Sequence, residues 1–287
     1  MSVEEARYRL LVKCPDCPGI VANISNWVFN QGANIIDLDQ HSSCADHGTY
    51  FMRMEFKFPA QYSHQELKDN FGLIAQKYAM EWELTDISHK KRFAILVSKP
   101  DHALLELLWL WKKQELKMEI TAVVSNHLDL ESVVQGFGLP FHYIPITKET
   151  KLQAEAALLD LVKPIADYLI LARYMQILSA NFITYYPMKI INIHHSFLPA
   201  FKGADPYRQA HDHGVKVIGA TAHYVTPDLD QGPIIEQDVA RATHRHSITD
   251  LRQIGRDLER KVLARAIRWQ IEDRIIIDGN KTVVFGS

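Results

Sequence analysis

Apolar positions along the chain change their spacing at about residue 90, and that change divides the sequence into two patterns. In the first, residues 8–13 suit a strand. Ile20, Val21, Ile24, Trp27 and Val28 then recur at helical spacing, after the helix-start signal Asp16-Cys-Pro-Gly19 and before Gly32. Residues 33–40 fit a second strand. In residues 50–58, Met52, Met54, Phe56 and Phe58 alternate with Arg53, Glu55 and Lys57, which predicts a strand with one buried face. Residues 63–78 read as a helix and 80–86 as a strand. The resulting order, β-α-β-β-α-β, is ferredoxin-like.

The polar stretch Ser88-His-Lys-Lys-Arg92 reads as a linker. Beyond it, residues 93–97 form a solid apolar run of the kind found in a strand covered on both faces. Residues 102–111 and 153–161 have helical spacing, whereas 120–124, 166–172, 190–194 and 217–225 suit strands. Strands alternating with helices predict an α/β unit with an open, mostly parallel sheet. Ile248, Leu251, Ile254, Leu258, Val262, Ala266 and Ile271 mark a long amphipathic helix, with Ser247 and Asp250 spaced as a capping box. Residues 274–285, with Asp278-Gly279-Asn280 at the centre, read as a closing hairpin. The expected domains are therefore 1–87, a linker at 88–92, and 93–287.

Composition narrows the function classes. With 47% hydrophobic and 23% charged residues, the 287-residue chain has an ordinary globular make-up, and its length favours two domains. A formal charge of -2 and the lack of a long basic run argue against nucleic acid or an anionic membrane as partner. The first ten residues do not resemble a signal peptide, and the apolar runs are too short to span a bilayer. Three cysteines make no disulfide framework, so a reducing, cytoplasmic setting is expected.

Two segments carry candidate chemistry. In Ile191-Asn-Ile-His-His-Ser-Phe-Leu-Pro199, Asn192 and His194 are two apart at a strand end, so both point to one face. The carboxyl ends of strands are where open α/β sheets bind ligands. A carboxamide and an imidazole there could polarise a carbonyl, or simply tie a strand end to its loop. In Thr226-Pro-Asp-Leu-Asp-Gln-Gly-Pro-Ile234, Asp228 or Asp230 could orient a histidine or a water; equally, both could serve only the turn. Cys14-Pro-Asp-Cys17 and the group His41, Cys44 and His47 have metal or redox spacing, but a turn before a helix explains the former as well.

Taken together, Asn192-Ile-His-His-Ser-Phe-Leu-Pro199 followed by Asp230-Gln-Gly-Pro-Ile234 resembles the folate formyltransferase family. Tyr168-Leu-Ile-Leu-Ala-Arg-Tyr-Met-Gln-Ile-Leu-Ser179, residues 200–210 and His223-Tyr-Val225 extend the resemblance across roughly 93–287. It implies a catalytic trio of Asn192, His194 and Asp230. It also implies a pterin site built from Tyr174, Met175, Gln176, Ile177 and Leu178, with Val225, Thr226 and Asp228. The amino-terminal unit, through residues 16–22 and Gly32-Ala-Asn-Ile35, resembles an ACT domain. An ACT domain ahead of a formyltransferase-like domain is the arrangement of the formyltetrahydrofolate deformylase family.

That resemblance implies hydrolysis of 10-formyltetrahydrofolate in one-carbon and purine metabolism, with no cofactor and no metal. It further implies an amino-acid effector at the ACT domain, with glycine and methionine as candidates, and a homo-oligomer. The related transferases hold an acceptor phosphate on a Gly-rich loop after the first strand. Residues 97–102 here lack glycine, Pro100 has no N–H, and Asp101 would repel a phosphate, which favours water as the nucleophile. The alternatives are formyl transfer to an amine, or a regulator that binds formyl-folate without turnover. His195 stands where those transferases often have proline, and either water activation or packing would suit it.

Overall fold

The computed structural model describes residues 5–44, 48–59, 63–200 and 206–286. His47 and residues 201–205, part of the expectations above, lie outside them. The chain forms two compact units.

The first unit contains β1 (Glu5–Pro15), α1 (Ile20–Asn30), β2 (Asn34–Ser42), β3 (Thr49–Pro59), α2 (His64–Lys77) and β4 (Glu81–Asp86). Its four-stranded antiparallel sheet has the order β2-β3-β1-β4, the expected ferredoxin-like, ACT-like arrangement. Gly19, with φ 95°, begins α1, and Gly32, with φ 72°, follows it; these left-handed positions suit residues without a Cβ. Ser63 and Glu66 close a reciprocal capping box at α2. Met52, Met54, Phe56 and Phe58 are buried in one core, where Phe71 packs edge-on against Trp27 and Trp82.

The expectation of a single buried face on β3 fails at Phe51 and Arg53, which are buried as well. Phe51 packs with Ile276 and Phe285. The Arg53 guanidinium donates to the Glu272 carbonyl and to Asp37 Oδ2. The end of the chain therefore departs from the expected 93–287 boundary. Residues 272–278 and 283–287 belong with the first unit, and Lys91–Ile271 with Gly279–Thr282 form the second. The apolar residues Ile276 and Phe285 explain this: they finish the second face of the sheet.

The second unit has a seven-stranded sheet of order β11-β10-β9-β8-β5-β6-β7. The strands are β5 (Arg92–Val97), β6 (Glu119–Ser125), β7 (Phe141–Tyr143), β8 (Tyr168–Leu171), β9 (Ile190–His194), β10 (Val217–Tyr224) and β11 (Ile234–Arg241). β5 to β9 pair in parallel, and β10 and β11 add antiparallel. Five of the six residues of β5 are buried, as the apolar run predicts. The helices include α3 (His102–Lys112), α4 (Glu131–Gly136), α5 (Lys151–Val162), α6 (Ala180–Ile183), α7 (Pro206–Asp212) and α8 (Ile248–Ile271). Ser247 and Asp250 cap α8 reciprocally. From β5 the order runs to β6 and β7 on one side and to β8 and β9 on the other. This makes a topological switch point, with a crevice outside the carboxyl ends of β5, β8 and β9.

Candidate active site

A cavity of about 660 Å³ opens at that crevice. Asn192 and His194, two apart on β9, both line it. The antiparallel register sets His223 of β10 directly opposite Asn192. The loop from β10 to β11 then returns Asp230 to the same place, with the backbone of Asp230 at φ 55°. Aspartate tolerates that left-handed conformation better than most residues do, and such strain tends to persist where surrounding structure fixes it. The loop is fixed tightly. A Cβ on Gly232 would lie 1.9 Å from the Tyr224 carbonyl oxygen, so only glycine lets the chain pass there.

Asp230 Oδ2 lies 3.4 Å from His194 Nδ1, and Oδ1 lies 3.7 Å from His223 Nε2. The interaction with His194 holds the Asp230 carboxyl below its ordinary range, against the opposing effect of burial. Burial pushes the His223 imidazole down, which keeps it neutral. Its Nδ1–H donates to the Tyr224 carbonyl at 2.9 Å, so Nε2 accepts from the Asn192 side-chain amide at 3.2 Å. That chain fixes the carboxamide and leaves its second N–H to serve the cavity. His194 Nε2 is buried and has no hydrogen-bond partner among the described residues.

The loop after β9 is equally constrained. Thr221 Oγ1 donates to the Ser196 carbonyl and accepts from the Leu198 N–H. His195 is buried beside His194, with ring centroids 5.1 Å apart. Burial, reinforced by the nearby Arg173 charge, pushes its imidazole down to about 4.

Tyr174, Met175, Gln176, Ile177 and Leu178 all line the cavity, as do Val225 and Thr226. Ser98 at the end of β5 anchors the first of these segments: its hydroxyl accepts from the Met175 N–H and donates to Asn126 Oδ1. Met175 and Ile177 expose apolar surface and Tyr174 and Leu178 are buried, giving a wall suited to a flat ring. Asp228 is not brought to the cavity. It is exposed, and its backbone carbonyl accepts from Thr226 Oγ1 and the Gln231 N–H within the turn.

The sequence reading passed over His223 as a functional residue, although its register opposite Asn192 is what fixes the carboxamide. It also passed over His102, Arg173, Tyr207 and Glu259, which line the same cavity. The cysteines stay apart from this chemistry. Cys14, Cys17 and Cys44 are free, and among the described residues no His, Cys, Asp and Glu cluster has the make-up of a metal site.

Comparison with known proteins places this geometry among relatives. Residues 91–267 match the family model described as formyl transferase. A formyltetrahydrofolate deformylase of Bacillus subtilis is 48% identical over 283 residues, 98% of this chain and 94% of that protein. One from Synechocystis is 49% identical, covering 96% of this chain and 97% of the other. The crystal structure of a formyltetrahydrofolate deformylase from Pseudomonas syringae superposes with a TM-score of 0.94 at 44% identity, over 98% of this chain and 95% of that one. A glycinamide ribonucleotide transformylase from Symbiobacterium toebii matches 69% of this chain and 95% of its own, with a TM-score of 0.64 at 30% identity.

Proposed function

Since this chain belongs to the formyltetrahydrofolate deformylase family, we propose that it hydrolyses 10-formyltetrahydrofolate to formate and tetrahydrofolate in the β9 cavity. The observation that carries the reading is the joining of Asp230 to His194 at the cavity's polar end, with Asn192 locked beside them. The pterin lies against Tyr174–Leu178 and the Val225–Thr226 segment, which brings the formyl group towards Asn192 and His194. Asp230, ionised near neutral pH, orients the attacking water. Attack on the formyl carbon gives a tetrahedral oxyanion, which accepts from the Asn192 amide and from protonated His194. Asp230 takes a proton from the attacking water, the carbon–nitrogen bond then breaks, the folate nitrogen takes a proton relayed by His194 Nε2, and formate leaves with the remaining proton released to solvent. Every group in this scheme belongs to the chain or the substrate.

The ACT-like unit takes an amino-acid effector and joins copies of the chain into a homo-oligomer. Support comes from β2, an edge strand on which Ile36 and Leu38 are exposed. A reducing, cytoplasmic setting suits the three free cysteines.

Incubation with 10-formyltetrahydrofolate and no added amine should release formate. Asp230→Asn should keep folate affinity and lose at least about a hundredfold in turnover, as removal of a positioned base does. Full activity in the folded variant would remove Asp230 from the mechanism.

A further inference from the structure

Beside the trio, the wall of the cavity is built from buried polar groups that the hydrolytic scheme does not use. Glu259, from the middle of α8, is buried and is met by two hydrogen-bond partners and one further charge from distant parts of the chain. The Tyr207 hydroxyl donates to Glu259 Oε1 at 2.8 Å. His102 Nε2, at the start of α3, bonds Oε2 at 2.8 Å, and the Arg173 Nε lies 3.4 Å from the same oxygen. These donors hold the Glu259 carboxylate ionised despite its burial. The Tyr207 ring in turn lies 6.0 Å from the His195 ring, so the cluster runs without a break to His194.

The ring of Tyr207 reaches Glu259 only because α8 carries glycine at the crossing. A Cβ on Gly255 would fall 2.0 Å from Tyr207 Oη and 2.2 Å from Cζ. Glycine within a helix costs roughly 1 kcal/mol relative to alanine. In the middle of a 24-residue helix its benefit is the notch that seats this ring.

Amines are better nucleophiles than water towards a formyl group, so a hydrolase must deny them a place at the reacting carbon. We infer that the Glu259–Tyr207–His102–Arg173 cluster is a specificity lock that closes the acceptor side of the cavity and reserves the formyl carbon for water. This rests on the hydrolytic reading and deepens it. The carboxylate, hydroxyl and imidazole that could hold an amine or its substituents are satisfied by one another. What remains beside the trio are His194 Nε2, His195 Nδ1 and the Arg173 Nε, all buried and without a hydrogen-bond partner among the described residues. Water attack forms the new carbon–oxygen bond, breaks the carbon–nitrogen bond and yields formate, with one of the water's protons passing to the folate nitrogen and the other released to solvent. With the lock open, an amine forms a carbon–nitrogen bond instead. It loses one proton, the folate nitrogen gains one, and the products are an N-formyl amine and tetrahydrofolate.

The test is a partition experiment on the full chain. Wild type, Tyr207→Phe, Glu259→Gln and Gly255→Ala are each given 10-formyltetrahydrofolate with hydroxylamine or glycinamide, and formate and N-formyl product are measured together. Wild type should give formate alone, and the variants should raise the N-formyl share at least about tenfold, the scale on which a pocket's size discriminates. A general loss of structure would lower both products and leave their ratio unmoved. Thermal melts identify the folded variants, and Tyr207→Phe, which loses a single oxygen, guards against misfolding in the others. Formate alone from folded variants, as from wild type, overturns the lock and leaves the hydrolase reading standing. Absence of formate from wild type without amine overturns the hydrolase reading first, and the lock with it.

Discussion

At the scale of single residues, the site depends on which nitrogen of each histidine is committed. His223 has both nitrogens engaged, His194 has Nδ1 facing Asp230, and His195 keeps Nδ1 unpartnered among the described residues. His195 also bears on stability. Its imidazole is pushed from 6.5 in the open chain down to about 4, by burial and then by the Arg173 charge. Between those values the unfolded chain binds a proton that the folded chain refuses. Stability is therefore unaffected above about 6.5 and falls as pH drops towards about 4. His195→Asn should flatten that fall by up to about 3 kcal/mol, read from urea unfolding across the same window. The slope that remains belongs to His223 and His64, whose imidazoles burial also depresses, joined at the acid end by carboxylates held below their ordinary range, Glu259 and Asp230 among them. An unchanged slope would remove His195 from the acid response. Asn192 and His194 were legible in the sequence because a strand's period of two puts them on one face. The Glu259 cluster was not legible, because its four members lie at positions 102, 173, 207 and 259 and only the fold joins them.

At the scale of elements, the strongest control over the site lies in a loop. The turn from β10 to β11 carries Asp230 on a left-handed backbone and passes the Tyr224 carbonyl at Gly232. Gly232→Ala should leave the sheet folded yet move Asp230, and a displacement near 1 Å at a reacting group can cost about a hundredfold. Formate release at saturating folate, set beside a thermal melt, would read this. Normal turnover would mean that the loop takes up the methyl without moving the carboxylate. Strands with one sharp pattern were legible: β3 by its alternation and β5 by its solid apolar run. β11 was missed. Ile234-Ile-Glu-Gln-Asp-Val-Ala-Arg241 lies at the sheet edge, buries only Ile235, and so has neither pattern. The antiparallel pairing of β10 was equally hidden, since direction leaves no mark on spacing.

At the scale of the whole molecule, the chain returns to its beginning. Two units were expected from the change of pattern near residue 90. The sharing of the final residues was not, because Ile276 and Phe285 read as ordinary hairpin positions until Phe51 and Arg53 are seen to be buried beneath them. The fragment 91–271 should sediment at a lower oligomeric state than the full chain and lose any amino-acid control, if assembly and effector binding reside in the first unit. Extending it to 287 should lower its solubility, because the added apolar side chains lack their sheet. Equal sedimentation of the fragment and the full chain would move the interface to the catalytic unit. The same return has a consequence for synthesis on the ribosome. The ACT-like unit emerges first, but Arg53 waits for the carbonyl of Glu272, and Phe51 for Ile276 and Phe285. The unit translated before the other is therefore completed after it, and a chain stopped short of residue 272 would leave that arginine without its acceptor.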